Sequence, residues 1–427
     1  MESMMSPDKR NLYRLPYSMN DNPIGWVEVT DICNIKCKGC YRLVIGEGHK
    51  PLEKIKEEIR FLKRWRNCDG ISLAGGEPVL HPQIMEIISF IKGMNMKTVM
   101  LTNGYALNDK LLSDLKKAGL FGLSFHIDMT QTRPEFHKQK INSEADLNDM
   151  RLRFARMVKK YGFYSHFGIT VTPDNLHEVP VIIQWAIDNV MMVNGISLII
   201  YRGMPVMDGV EYFADGKKVD IQLGGLGYTV DKEEYESIKV KAPDVYKVIK
   251  DHFPDYEAMG YLGGTIDHTS YKWLWGSILT NTKGKTFGAI GKRTLELAQS
   301  FYHYTHGTFL VYPKGRIGKS LFLMSIFDKQ IRKAFWKFLK YSLVNPVRFF
   351  YPMKSIGIGM VQAPDMLPDG RIDMCDDCPD MCVFEGKLVN SCRLDECRIH
   401  GSLLHIHVDK DKVNKVREEV VEEQTTR

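Results

Sequence analysis

The chain has 427 residues, 44% of them apolar and 26% charged, a globular balance with room for one large domain and an extension. No apolar run approaches the roughly 18 residues of a membrane span, and residues 1–19 lack the apolar stretch of a signal peptide, so a cytoplasmic protein is expected. The net charge of +6 is local: residues 316–350 carry eight Lys/Arg against Asp328 alone. The rest of the chain is near neutral, which argues for one anion-facing surface and against a protein that coats nucleic acid.

After an N-terminal segment (1–24), strand and helix patterns alternate. Strands are predicted at 25–30, 70–74, 97–102, 122–128, 164–172 and 195–201, with helices near 52–67, 81–93, 108–118, 145–161 and 175–190. Asn108 is placed as an N-cap, and Gly93, Gly119 and Gly162 stand at C-terminal caps. This order means βαβ units and a parallel sheet. Strand faces narrow the architecture. Gly122, Ser124, His126 and Asp128 alternate with Leu123, Phe125 and Ile127, and His166, Gly168, Thr170 and Thr172 alternate with Phe167, Ile169 and Val171. Glu28 and Thr30 likewise alternate with Val27 and Val29. One polar and one apolar face predict an α/β barrel or partial barrel whose chemistry sits at the C-terminal ends of the strands.

Beyond this core (25–205), residues 206–315 show no clean period and read as loops and short helices, rich in aromatics. A basic amphipathic helix region (316–353), a cysteine-rich segment (354–408) and a charged tail (409–427) follow. Nine cysteines without an export signal point away from disulfides. Three lie between 33 and 40 and five between 375 and 397, a grouping suited to iron–sulfur or zinc; Cys68 stands apart as a buried thiol.

Cys33-x3-Cys37-x2-Cys40 directly follows the first strand. Three thiolates can hold three irons of a cubane and leave the fourth open, whereas structural zinc wants a fourth ligand, for which His49 is the one nearby candidate. Gly75-Gly76-Glu77-Pro78 ends the second strand. Together the two motifs resemble the signature of the radical S-adenosylmethionine (SAM) superfamily across residues 25–201. That resemblance implies a partial (β/α)6-type barrel and a [4Fe-4S] cluster on Cys33, Cys37 and Cys40 that chelates SAM and cleaves it reductively to a 5′-deoxyadenosyl radical. It further implies that Gly75, Gly76, Glu77 and Pro78 face the amino group of SAM and that Asn103 reaches the cofactor. Ser124, His126, Asp128 and Thr170 become candidates for ribose, carboxylate or substrate, with His126 and Asp128 the catalytic candidates. A satisfied hydrogen-bond network inside the barrel is the alternative for these residues. The family's aromatic residue before the third cysteine is replaced by Gly39, and Tyr41, after Cys40, is carried as the candidate adenine contact. A reductant such as flavodoxin or ferredoxin is the implied protein partner.

Cys375, Cys378, Cys382, Cys392 and Cys397 resemble a shortened SPASM or Twitch extension, implying an auxiliary [4Fe-4S] cluster on four of the five. Structural zinc and unligated thiols are the alternatives, and His400, His405 and His407 are further candidate ligands. Residues 320–343 predict a helix on which Phe327, Ala334, Phe335, Phe338 and Leu339 fall within about 80° of Ile331, opposite Lys329, Lys333, Lys337 and Lys340. A core-packed helix and a helix at an anionic membrane surface both fit that pattern. The segments Phe125-His126-Ile127-Asp128 and Leu367-Pro368-Asp369-Gly370 resemble a loosely characterised radical branch, and no cobalamin-binding pattern precedes the barrel. Three functions follow as expectations. The first is hydrogen abstraction from a lipid or other long apolar substrate near the membrane, with 271–275 and 301–312 lining a channel. The others are maturation of a ribosomal peptide or protein, and a non-catalytic metal-binding scaffold.

Overall fold

The computed structural model describes residues 6–137, 140–313, 318–362, 364–409 and 411; the charged tail expected at 409–427 lies almost wholly outside them. Its framework is β1 (Ile24–Thr30), α1 (Leu52–Arg66), β2 (Gly70–Gly75), α2 (Ile84–Gly93), β3 (Lys97–Thr102), α3 (Asp109–Ala118), β4 (Gly122–His126), α4 (Asn148–Lys160), β5 (Tyr164–Val171), α5 (Val179–Asp188) and β6 (Gly195–Ile200). The boundaries follow local chemistry. The Asn108 side chain accepts from Leu111 N, and Gly119 ends α3 in the left-handed region. At the end of α2 the expectation fails by two residues: Gly93 is helical and Asn95 makes the left-handed turn.

The six strands are parallel and neighbour one another in chain order. A doubly wound sheet reverses direction at a switch point; this one does not, which is the winding of a partial barrel. It does not close. β6 pairs in parallel with β9 (Met353–Gln362), and β8 (Trp273–Asn281) and β7 (Ala258–Leu262) extend the sheet antiparallel. Residues 206–315, read from sequence as loops and short helices, thus supply three strands of the main sheet (β7, β8 and Thr286–Ala289, which pairs antiparallel with β8), the helix α6 (Ala242–His252) and the helix α7 (Lys292–His306). Both faces of β8 are buried, so Trp273–Asn281 shows no two-residue alternation of polar and apolar side chains.

Val27, Ile71, Leu73, Leu123, Phe125, Phe167 and Ile169 form one core with the helices. The opposite face is only partly open. Trp26, Ala74 and Leu101 are covered by Cys382, Val389, Leu394 and Cys397 of the C-terminal segment, which contains the hairpin β10 (Met381–Phe384) and β11 (Lys387–Asn390) and the helix α9 (Leu394–His400). Near the start of β2, the Tyr312 hydroxyl lies 2.5 Å from Ser72 Oγ and its ring packs on Tyr164. Gly70 leaves room for that ring, since a Cβ there would sit 3.0 Å from it. Of the segments expected to line an aromatic channel, Tyr271 and Trp273 are buried, Tyr312 packs on Tyr164, and Phe301 and Tyr304 face solvent.

The basic segment is a 3-10 helix, Lys319–Ile326, followed by α8 (Lys329–Val344), whose N-cap Asp328 accepts from Gln330 N and Ile331 N. Ile331, Ala334 and Phe338 are buried against Leu279, Phe287, Phe322 and Met353. Ile331, Ala334 and Phe338 of the apolar stripe are thus core, Phe335 and Leu339 are partly buried, and Phe327 is exposed. Phe338→Ala should cost about 3–5 kcal/mol of stability, and Trp336→Ala, on the exposed side of the same helix, less than about 0.5 kcal/mol. Denaturant unfolding of both variants checks this; equal losses would contradict the burial.

Candidate functional site

The loop after β1 is closed at its base by Asp31, whose carboxylate accepts from Ile45 N (3.3 Å), Glu47 N (2.9 Å) and Gly48 N (2.7 Å). Its middle is pinned from β4: Lys36 and Cys37 pair antiparallel with Thr132 and Gln131, and Lys38 N donates to Thr130 O. Cys33, Cys37 and Cys40 are all partly exposed there. Burial raises the pKa of each thiol, and the three oppose one another's ionisation, Cys37 through Cys40 and Cys33, and Cys40 through Cys33. Among the described residues no three His, Cys, Asp or Glu side chains stand close enough to hold an ion. The donor chemistry nonetheless fits a cationic cluster, which removes the cost of gathering three thiolates. Cys68 is different: burial pushes its thiol up to about 12 and its Sγ donates to Leu62 O.

The turn after β2 explains its two glycines. Gly76 N donates to Thr30 O and Glu77 N to Ile32 O, both at 2.8 Å. Gly75 has φ +128°, and a Cβ on Gly75 or Gly76 would lie 2.2 Å from Thr30 O or 2.3 Å from Ile32 O. Glu77 is fully buried, which pushes its carboxyl up to about 7. Its oxygens accept from Thr102 Oγ1 (2.7 Å), Asn103 N (2.7 Å) and Val79 N (3.4 Å). These bonds lock the turn to the end of β3.

Asn103 donates from Nδ2 to Asn34 Oδ1 at 2.7 Å and approaches Cys33 Sγ at 3.8 Å. Arg133, which sequence reasoning passed over, is fully buried and donates twice to Asn103 O at 2.8 Å. Its charge favours ionisation of Cys37. His126 Nε2 lies 2.7 Å from Asp128 Oδ2 and 3.2 Å from Thr170 Oγ1. Asp128 is fully buried and also accepts from Thr130 N, Thr130 Oγ1 and Thr170 N. Its carboxylate is thereby held against His126. Ser124, on β4, stands two residues before His126.

Tyr41 is turned toward β1. Its hydroxyl donates to Glu28 Oε1 and its ring meets Trp26 edge-on. The space beside Gly39 (φ +67°) is taken instead by Tyr201, whose ring would lie 2.2 Å from a Cβ there. Tyr201 follows β6, and only the fold brings it to the cysteine loop.

The second cysteine set is divided. Cys375 and Cys378 are hydrogen-bonded to each other and sense Cys392 electrostatically. Cys382 instead donates to Val389 O at 3.3 Å and shares an apolar cluster with Cys397. His405 and His407 are exposed on the strand Leu404–Val408.

Residues 27–186 match the family model of the Radical SAM superfamily. This segment of the chain belongs to that superfamily. Its members use a [4Fe-4S] cluster and SAM. The chain is similar to a 7,8-dihydro-6-hydroxymethylpterin dimethyltransferase of Methanocaldococcus jannaschii, 29% identical over 40% of this chain and 35% of the relative. It is also similar to a probable GTP 3′,8-cyclase of the same organism, 32% identical over 26% of this chain and 38% of the relative. It thus spans well under half the length of either. The structure of Streptococcus suis SuiB overlaps 55% of this chain and 46% of its own, at 14% identity and a TM-score of 0.36.

Two tests follow for the radical SAM domain. Gly76→Ala should displace the Cys33–Cys40 loop and abolish iron loading there, read as iron per chain after anaerobic reconstitution; full loading would show that the backbone contact is dispensable. His126 has a raised pKa: burial pulls it down, but the Asp128 carboxylate and their hydrogen bond outweigh this, and Asp128 is correspondingly lowered. The His126 contribution to stability is complete below its ordinary pKa near 6.5 and is lost as pH rises through the raised value. The Asp128 contribution is complete above about 3.9 and is lost as pH falls through its depressed value. The pair therefore stabilises fully between about pH 4 and 6.5. Asp128→Asn should bring the His126 titration, followed by NMR, below 6.5; an unchanged midpoint would sever the pair.

Proposed function

We propose that the protein is a radical SAM enzyme that abstracts hydrogen from an unactivated C–H bond, with its cluster on Cys33, Cys37 and Cys40. The observation that carries this reading is the registry of the Gly75–Pro78 turn on Thr30 and Ile32 at the root of the cysteine loop. When bound, the cluster and SAM supply a 5′-deoxyadenosyl radical. The chain's own groups orient and shield. Backbone of the Gly75–Pro78 turn edges the cofactor position, Asn103 borders Cys33, and Arg133 eases ionisation of Cys37. His126 is bound through Nε2 to Asp128, and its Nδ1 looks across Gly168, where a Cβ would be 3.3 Å away; Nδ1 can hold or accept a proton from a ligand. Tyr201 walls the cysteine loop beside Gly39.

Cys375, Cys378 and Cys392 are the proposed core of an auxiliary [4Fe-4S] site, with zinc as the alternative and Cys382 or Cys397 requiring local movement to join. The substrate class we favour is a lipid or other long apolar molecule, supported by the exposed apolar and basic surface around α8. A peptide or protein substrate is the competing reading, and flavodoxin or ferredoxin the proposed reductant. Among the described residues no helix is long and apolar enough to cross a membrane.

Anaerobically reconstituted protein should hold about eight irons, and the Cys33, Cys37, Cys40→Ala variant about four. Reduced protein with SAM should release 5′-deoxyadenosine, and Cys37→Ala should not. No deoxyadenosine from fully loaded protein would leave a metal-binding scaffold instead. Lipidomics and peptidomics of a deletion strain then separate the two substrate classes.

A further inference from the structure

We infer that the solvent face of α8 and its flanking 3-10 turns is a docking surface for an anionic lipid bilayer. The inference does not use Ile331, Ala334 and Phe338, which are core, and it is independent of the radical chemistry. At 100° per residue, Lys329, Lys333 and Lys340 fall within about 40° of one another, on the side opposite Ile331. Among the described residues no carboxylate pairs with any of these three, whereas Lys337 pairs with Asp255 and Arg332 donates to Ser325 O and Ile326 O. Large apolar side chains flank the lysine row. Trp336 is 55% exposed, Leu343 72% and Val344 77%, and Ile326 (71%), Phe327 (66%) and Phe350 (76%) extend the surface past both ends of the helix.

A face that only needed solubility would carry the lysines without these apolar tips. A bilayer fits both. Ammonium groups meet anionic headgroups at the depth where a short apolar side chain reaches the acyl boundary, and a tryptophan suits that interface. The sixteen-residue helix offers a ridge about 24 Å long, a convex shape that suits a plane. A second copy of the same face would set three unpaired lysines against three, so self-association is disfavoured.

The test is co-sedimentation of the reconstituted full chain with vesicles of phosphatidylcholine alone or containing one-quarter phosphatidylglycerol. Binding is expected only to the anionic vesicles and should fall as salt rises, because exposed charges are screened over about 8 Å at physiological ionic strength. Lys329→Gln, Lys333→Gln and Lys340→Gln together should lower the partition coefficient about 100-fold, from about 1 kcal/mol per lysine. Leu343→Ser with Val344→Ser should lower it about tenfold or more without changing the unfolding temperature by more than a few degrees. Lys110→Gln, Lys116→Gln and Lys117→Gln on α3, which remove the same charge elsewhere, should leave binding in place. Deoxyadenosine release should be unchanged in every variant, which keeps this result separate from the proposed activity. No binding at low salt, or equal losses from the α3 and α8 lysine sets, would overturn the proposal. So would dimerisation that the α8 substitutions abolish.

Discussion

The cysteine loop has little regular structure of its own, so its shape is borrowed from two backbone hydrogen bonds, Gly76 N to Thr30 O and Glu77 N to Ile32 O. These form only because residues 75 and 76 lack side chains; a methyl group at either would enter the carbonyl it has to approach. The turn is held in turn by a fully buried carboxylate bonded to Thr102 and Asn103. Burying that group without partners would cost several kcal/mol, so the bonds both satisfy it and fasten the ends of β1, β2 and β3 together. Asn103 passes the constraint on: its side chain reaches Cys33 and its carbonyl receives Arg133, which stands beside Cys37.

From the far side the same loop is held by the C-terminal segment. Arg42, two residues after Cys40, bridges Glu28 on β1 and Asp395 on α9, and Asp395 also accepts from Leu43 N. Arg398 continues the chain of charges to Glu47 and approaches Asp31, the residue that closes the loop. These side chains are almost wholly buried apart from Glu47. Removing one member would strand a buried charge, a loss of about 3–5 kcal/mol, although the intact network need not be strongly stabilising. Its effect is specificity. The extension has one seat on the barrel, and that seat fixes the residues following the third cysteine.

Much of this was legible in the sequence, and for identifiable reasons. Two-residue alternation in 122–128 and 164–172 reports a half-polar strand directly, and Asn108 announces a helix start. Cys33, Cys37 and Cys40 lie within one loop, so their spacing survives folding. Residues that meet only in three dimensions were not legible. Arg133 and Tyr201 arrive at the cysteine loop from the ends of β4 and β6, and Tyr312 enters the barrel from a segment with no period. Glu77 was seen, but a carboxylate at the end of a strand can face a ligand or the protein, and only burial decides. For α8 the period was right and its meaning ambiguous: a stripe of Ile331, Ala334 and Phe338 looks the same whether a sheet or a bilayer covers it.

The five C-terminal cysteines show the same limit from another direction. Their spacing treats them as one set because a loop can wrap a metal in any order. The chain instead makes residues 381–384 a strand, and successive strand side chains point to opposite sides. Met381 accordingly joins Cys375 and Cys378, while Cys382 turns toward Trp26 with Cys397. The hairpin and α9, which cover the inner face of β1, thereby remove Cys382 and Cys397 from the group and leave three, Cys375, Cys378 and Cys392, in electrostatic contact. Lys272 is fully buried and engaged by Asp365 and Asp373, yet its charge still favours ionisation of Cys375. At both cysteine groups a buried cation thus favours ionisation of a thiol, Arg133 that of Cys37 and Lys272 that of Cys375.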